Sequence, residues 1–322
     1  MVSGTNDRFL NAEAALTIAY EKAEPYLQFI DVVNPIAETE SGFVYLKNDT
    51  SKSGDSKKKK PAEHLLGGLF PEVDRSRKTS ASEIIEAQGF AMRIPRNVLR
   101  SKIGATEIMD AYETAGYWLA ELTNTNIISG LTTNATTSFD YFSSTAEWSD
   151  TTNATPVLDL MDFAQDMKAF EGKPYRMNMA YVDTENFHEL KKLLAGIDYG
   201  EFTRNNIVGT PDNPSEMINI PMFGTVQEVV SGMTEGYVLG MDTRNIRSEI
   251  HYYNDSAYSI PTFTYETNNI ATGTPETRTV PNLGFNFYQY EEDDTHDTIL
   301  QFWVENKTIV KDSESILYGS GI

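Results

Sequence analysis

Residues 88–103 read QGFAMRIPRNVLRSKI and run directly into GATEIMDAYETAGYWLAELTNTNIISG at 104–130. In the first stretch Phe90, Met92 and Ile94 alternate with Gly89, Ala91 and Arg93, the period of a strand with one apolar face. In the second, Ile108, Tyr112, Ala115, Leu119 and Leu122 follow the four-and-three spacing of one buried helical stripe. Glu107 and Asp110 fall in its first turn, where the helix dipole favours carboxylates. The spacing predicts a helix of about 35 Å, stopped by Gly130 and the Thr/Asn-rich residues after it. A strand feeding a long spine helix is the centre from which the rest of the chain is read.

Upstream, GFVYL at 42–46 reads as a strand, and residues 48–60 are almost wholly Asn, Asp, Ser, Thr, Gly and Lys. The return limb starts near Ser80 and continues as ASEIIEAQGF. Two limbs joined by more than 30 polar or irregular residues make a very long hairpin, a connection uncommon inside compact domains unless it is functional. It needs something to lie on. At its tip stand Lys57, Lys58, Lys59 and Lys60, in a chain with 47 Asp+Glu against 26 Lys+Arg. A solvated tip is one reading; the other is a tip that meets carboxylates on a neighbouring copy. Exposed ion pairs contribute about 0 to 1 kcal/mol each, so such lysines would set register more than strength. An isopeptide link from one of them to a neighbour's Asn is a third reading. Ahead of the hairpin, Ala15, Ile18, Ala19 and Leu27 with Pro25 predict a short peripheral helix followed by an extended arm.

Downstream, 131–154 is a polar linker containing Tyr141, Phe142 and Trp148. Thr155 and Pro156 open a helix through Leu160, Ala164 and Met167 to Gly172. A strand, YRMNMAYV, follows, and Asp183 caps a second helix ended by Gly196. Short strands occupy 199–253, and GFNFYQY with TILQFWVEN form a hairpin across the loop EEDDTHD at 291–297.

Composition narrows the function. At 322 residues the chain exceeds what one core comfortably holds. It has no cysteine, which excludes disulfides, thiolate catalysis and Cys-ligated zinc. No window approaches a membrane span or a signal peptide, so the expectation is a soluble protein of the cell interior. A net charge of −21 argues against sequence-independent nucleic-acid binding, though not against enclosing DNA, and fits a high-salt milieu in which self-repulsion is screened. There is no phosphate loop, HExxH helix, GxSxG elbow or dinucleotide-binding glycine pair. His64, His188, His251 and His296 are scattered. His296 with Glu291, Glu292, Asp293, Asp294 and Asp297 could bind a divalent cation, but an acidic hairpin tip is usually only solvated. The five Asn-x-Ser/Thr sequons, at Asn48, Asn134, Asn153, Asn254 and Asn306, are read as chance in a Thr/Asn-rich chain. No catalytic residue, cofactor or metal is expected.

The order of elements resembles the major capsid protein of tailed double-stranded DNA viruses, the Hong Kong 97 fold, over nearly the whole chain. The resemblance rests on QGFAMRIPRNVLRSKI, the spine helix, the strands around EGYVLGMDTRNIRSEI and the terminal hairpin. It implies an α+β subunit divided into an N-terminal arm (1–38), an extended loop (39–84), a peripheral domain with the spine helix (85–150), an axial domain (151–258) and a return to the peripheral domain (259–322). It implies self-assembly into hexamers and pentamers of an icosahedral shell around packaged DNA, in a virion assembled in the host cytoplasm. The partners it implies are copies of the chain itself, a portal and minor or decoration proteins. The helical scaffolding extension of many relatives is missing ahead of residue 1, which implies a separate scaffold protein or prior removal. The Lys, Asn and Glu trio of crosslinking relatives has no recognisable match, so association is expected to be noncovalent. The acid bias resembles that of proteins from salt-loving archaea. An encapsulin compartment is the alternative, and an acidic hydrolase or sugar-binding protein using Asp293 and Asp294 a second.

Overall fold

The computed structural model describes residues 12–48, 78–137, 147–150, 152–169, 175–196, 207–208, 216–220, 223–230, 232–255, 257–268 and 275–320. The chain opens with helix α1 (Ala12–Ala23) and strand β1 (Asn34–Glu38). An antiparallel hairpin of β2 (Gly42–Asn48) and β3 (Lys78–Ile84) leads to β4 (Ala87–Ile94), the short α2 (Arg96–Leu99) and the spine helix α3 (Gly104–Asn134). A smaller unit follows, with β5 (Thr136–Thr137), α4 (Pro156–Ala169), β6 (Met179–Asp183), α5 (Thr184–Gly196), β7 (Ile207–Val208), β8 (Met217–Ile220), β9 (Gly224–Val229) and β10 (Tyr237–Met241). The last elements are β11 (Ser248–Tyr253), the hairpin β12 (Thr262–Asn268) with β13 (Pro275–Pro281), the hairpin β14 (Phe285–Glu291) with β15 (Thr298–Val310), and β16 (Ile316–Ser320).

The larger unit is built on β15. Over its first half β15 is flanked by β14 on one edge and β4 on the other, and over its second half it pairs with β11, which carries β1 in parallel beyond it. The register sets Phe90 opposite Phe302 and Phe302 opposite Phe287, so the face read from alternation is the buried one. Tyr112 of α3 meets Phe287 edge-on at 5.8 Å and Phe302 at 6.1 Å, geometries in which ring quadrupoles attract. The smaller unit is a seven-stranded sheet, ordered β5-β16-β10-β6-β9-β8-β7. Phe163 of α4 and Phe187, Leu190 and Leu194 of α5 belong to its separate core. Asp183 caps α5 as expected, accepting the Glu185 and Asn186 amides at 2.9 and 3.1 Å.

Four expectations change. The N-terminal helix is not peripheral: Ala15, Leu16, Ala19, Tyr20 and Ala23 are buried in the main core, with Tyr20 stacked on Phe263 at 4.3 Å. Alanines looked weakly apolar in sequence, yet small side chains are what let α1 approach α3 closely. The spine helix does not stop at Gly130 but continues to Asn134, about 46 Å in all. That glycine is a packing residue, since a Cβ there would lie 2.5 Å from the Thr308 carbonyl oxygen on β15. Trp148, read as linker, is buried in the smaller core and donates Nε1–H to Asp159 Oδ2 at 3.1 Å. Within 259–322, residues 316–320 do not return to the larger sheet; β16 sits in the seven-stranded sheet, antiparallel to β10. Tyr141, Phe142 and Gly172 lie outside the described residues.

Close approach at the glycines decides the sign of a substitution. Helix propensity alone would favour Gly→Ala by about 1 kcal/mol. A Cβ at position 116 would lie 2.3 Å from the Ala19 carbonyl oxygen, however, so both contacts demand backbone movement. Gly116→Ala and Gly130→Ala are each expected to destabilise by about 1 to 3 kcal/mol, read as a lower urea midpoint at unchanged slope.

Candidate functional site

The β2/β3 hairpin leaves the larger unit with apolar β2 side chains on both faces. On the inner face Phe43, Tyr45 and Ala81 pack with Ile85, Ile309 and Tyr253 as a third, small core. Burial, and next Glu83, pushes the Tyr45 phenol above its ordinary range. On the outer face Val44 is 73% exposed, Leu46 52% and Ile84 65%. The register places Val44 across from Ser82, Leu46 from Ser80 and Gly42 from Ile84, so this apolar side is uncovered by its own strands. The root is closed by Ile85 N–H donating to the Ser41 carbonyl at 2.7 Å. The return limb crosses there from β3 into β4, which explains why one alternating stretch serves two sheets.

On α3, Met109, Tyr117 and Trp118 are exposed at different positions around the helix, as is Ile103 just before it. Tyr117 holds Tyr26 edge-on at 4.9 Å and Trp118 lies 6.2 Å from Phe90. Glu107, Asp110 and Glu121 of α3 are exposed, as are Lys47 and Lys78 on the hairpin.

The remaining singled-out residues part company. Lys57, Lys58, Lys59 and Lys60 lie outside the described residues, between the two limbs of the hairpin. At the 291–297 loop Arg93 Nη1 donates to Glu292 Oε2 at 2.7 Å and Nη2 to Oε1 at 2.9 Å. Nη1 also reaches Asp297 Oδ2 at 3.3 Å. The Thr295 hydroxyl first, and then Arg93, hold the Glu292 carboxyl below the usual carboxylate range. The Arg96 amide N–H does most to hold Asp297 low. His296, in the left-handed region at φ 57°, faces Glu291 Oε1 at 2.8 Å. Asp293 and Asp294 are exposed, and among the described residues no three His, Asp or Glu side chains converge to hold a metal. Through Arg93 the loop clamps β4. His188 is exposed on α5, while His251 is buried beneath Phe43.

The exposed face of the hairpin had a signal in sequence. In FVYL all four residues are apolar, and a continuous apolar run marks a strand covered on both faces. One face is covered by this chain; nothing described in this chain covers the other.

No protein-family model matches the chain, and no curated protein matches its sequence. Solved structures do match its shape. A virus-like particle from Pyrococcus furiosus aligns with a TM-score of 0.54 at 9% identity, over 96% of this chain and 97% of that one. The holo-SrpI encapsulin complex from Synechococcus elongatus PCC 7942 aligns at 0.53 and 9% identity, over 100% and 92%. The capsid of a native GTA particle aligns at 0.52 and 9% identity, over 92% and 90%. The chain thus has the mixed helix-and-strand fold of Hong Kong 97-type shell proteins. Among the described residues no helix is long and apolar enough to cross a membrane.

The clamp has a pH sign. Glu292 and Asp297 are held low in the folded state, so the stability they contribute is present above the ordinary carboxylate range of about 4 and is lost as pH falls through their lowered values. Arg93→Gln is expected to move both carboxyl titration midpoints upward, measured by carbon-detected NMR.

Proposed function

We propose that this chain is the major shell protein of a virus particle, assembling as hexamers and pentamers into an icosahedral wall around packaged double-stranded DNA. The observation that carries the reading is the uncovered face of Val44, Leu46 and Ile84 on a projecting two-stranded ribbon. A two-stranded hairpin is marginal alone in water, and three exposed aliphatic residues on one side ask for a cover. Burying such a side chain stabilises by about 1.5 to 3 kcal/mol. A sister subunit supplies the cover once per hairpin, and closed symmetry repeats the contact around the shell. Its role is structural and non-enzymatic.

Several finer features belong to the same proposal. The ranges 1–38, 39–84, 85–150, 151–258 and 259–322 act as arm, extended loop, peripheral domain, axial domain and return, with β16 lent to the axial sheet. Lys57, Lys58, Lys59 and Lys60 meet carboxylates of the neighbour and fix register. A separate scaffold protein, a portal and decoration proteins complete a tailed virion assembled in the host cytoplasm. Net charge of −21 suits a DNA container that must not grip its contents, and a salt-rich host of haloarchaeal type. The encapsulin reading stands second because the SrpI encapsulin aligns with the whole of this chain at a TM-score of 0.53. Nuclease-protected DNA in purified particles supports the virus; a co-purifying enzyme without DNA supports the compartment.

Val44→Ser with Leu46→Ser is expected to leave circular dichroism unchanged, because both side chains are exposed in the subunit. It should weaken each contact by about 3 to 5 kcal/mol, a loss of at least a hundredfold in association. Electron micrographs should then show no shells, and wild-type shell yield from this variant would overturn the proposal. Replacing the four tip lysines with glutamate should yield fewer or misregistered shells, a defect that salt near 1 M relieves as charge repulsion is screened.

A further inference from the structure

A charged cluster at the root of the β2/β3 hairpin has no part in the contact just proposed. His251 on β11 is buried, with its ring stacked on Phe43 at 4.0 Å between centroids and 8° between planes. Its Nδ1 lies 2.6 Å from Glu38 Oε1 at the end of β1, and its Nε2 3.3 Å from Glu249 Oε2 on its own strand. Lys311, just past β15, donates Nζ to Glu249 Oε1. The other titratable groups around the ring are Lys307, its cross-strand neighbour on β15, Tyr253 on β11, and Glu83 and Tyr45 on the hairpin.

A neutral imidazole has one N–H and one lone pair. Here each ring nitrogen faces a carboxylate oxygen, so only the imidazolium satisfies both. The charged ring also attracts the face of Phe43 above it. In the neutral form one nitrogen turns a lone pair toward a carboxylate, while Lys311 stays on Glu249 and Lys307 stands opposite the ring on the same face of the sheet. What then holds the root is the small cluster of Phe43, Tyr45, Ile85 and Ile309. That is little apolar area for a lever as long as the hairpin.

We infer that His251 is a pH-sensitive latch which seats the hairpin root on the β1–β11–β15 sheet when protonated and loosens it when neutral. Phe43 transmits the change, because it belongs to β2 and rests directly on the ring. The consequence for assembly rests on the shell reading: the aim of the hairpin toward a neighbour would follow the charge on the ring. The latch itself is a property of the single subunit.

The test is amide hydrogen exchange over residues 42–46 and 79–84 in the full chain kept as unassembled subunits. It runs from about pH 5.5 to about pH 8.5, with rates corrected for intrinsic pH dependence. Wild-type protection is expected to fall about tenfold across the range, the scale of losing one charge-assisted hydrogen bond. His251→Gln should be flat at the weakly protected level, and His296→Gln should keep the wild-type profile. If His251→Gln does not fold, Glu38→Gln decides, since it keeps the shape and removes the anion; it too should flatten the profile. A flat wild-type profile, or equal slopes in the wild type and the latch variants, overturns the inference. Shells are scored separately by electron microscopy, so shells with a flat profile count against the latch alone, and a sloped profile without shells counts against the shell reading alone.

Discussion

A strand paired along both edges still has two faces to account for, and β15, with 13 residues, is long enough that only an equally long element can cover one of them. α3 is that cover. The match depends on backbone contact: at Gly130 the helix comes so near the Thr308 carbonyl that no side chain fits between them, and at Gly116 the same holds against α1. Once α3 lies on β15, the rest is constrained. β4 must arrive at one edge of the strand and β14 at the other, and the N-terminal helix closes the far side of the spine with alanines. The hairpin is then left to project from the junction where the return limb changes sheets.

The larger unit was legible where one period ran long enough. The alternation of Phe90, Met92 and Ile94 and the stripe from Ile108 to Leu119 each imply a partner surface, and the structure supplies it. What misled was chemistry that serves two purposes. Glycine ends helices through its backbone freedom and also permits close packing, and only a partner within 3 Å distinguishes the two at Gly130. Trp148 stands in a Thr- and Ser-rich stretch whose local polarity hides a ring buried by residues far along the chain. The strand β16 carries no pattern that would assign it to one sheet rather than the other. Its place is decided by pairing with β10, a contact across more than 70 residues.

For the candidate interface, the signal in sequence is the unbroken apolar run FVYL. Charge is conspicuous in a sequence, whereas a strand apolar on both faces looks like an ordinary core strand until one face is found bare. His251 was harder still. Nothing in SEIHYY indicates that Glu38, Phe43 and Lys311 will surround the ring, because those residues come from three other parts of the chain. A lone histidine acquires meaning only from the topology that gathers its neighbours.

The position of β16 also bears on synthesis. A ribosome delivers residues in order, and the seven-stranded sheet cannot join β5 to β10 until residues 316–320 have emerged, although its other strands were made up to 180 residues earlier. A truncated product would carry an open seam in that sheet, offering bare β10 backbone to chaperones and proteases.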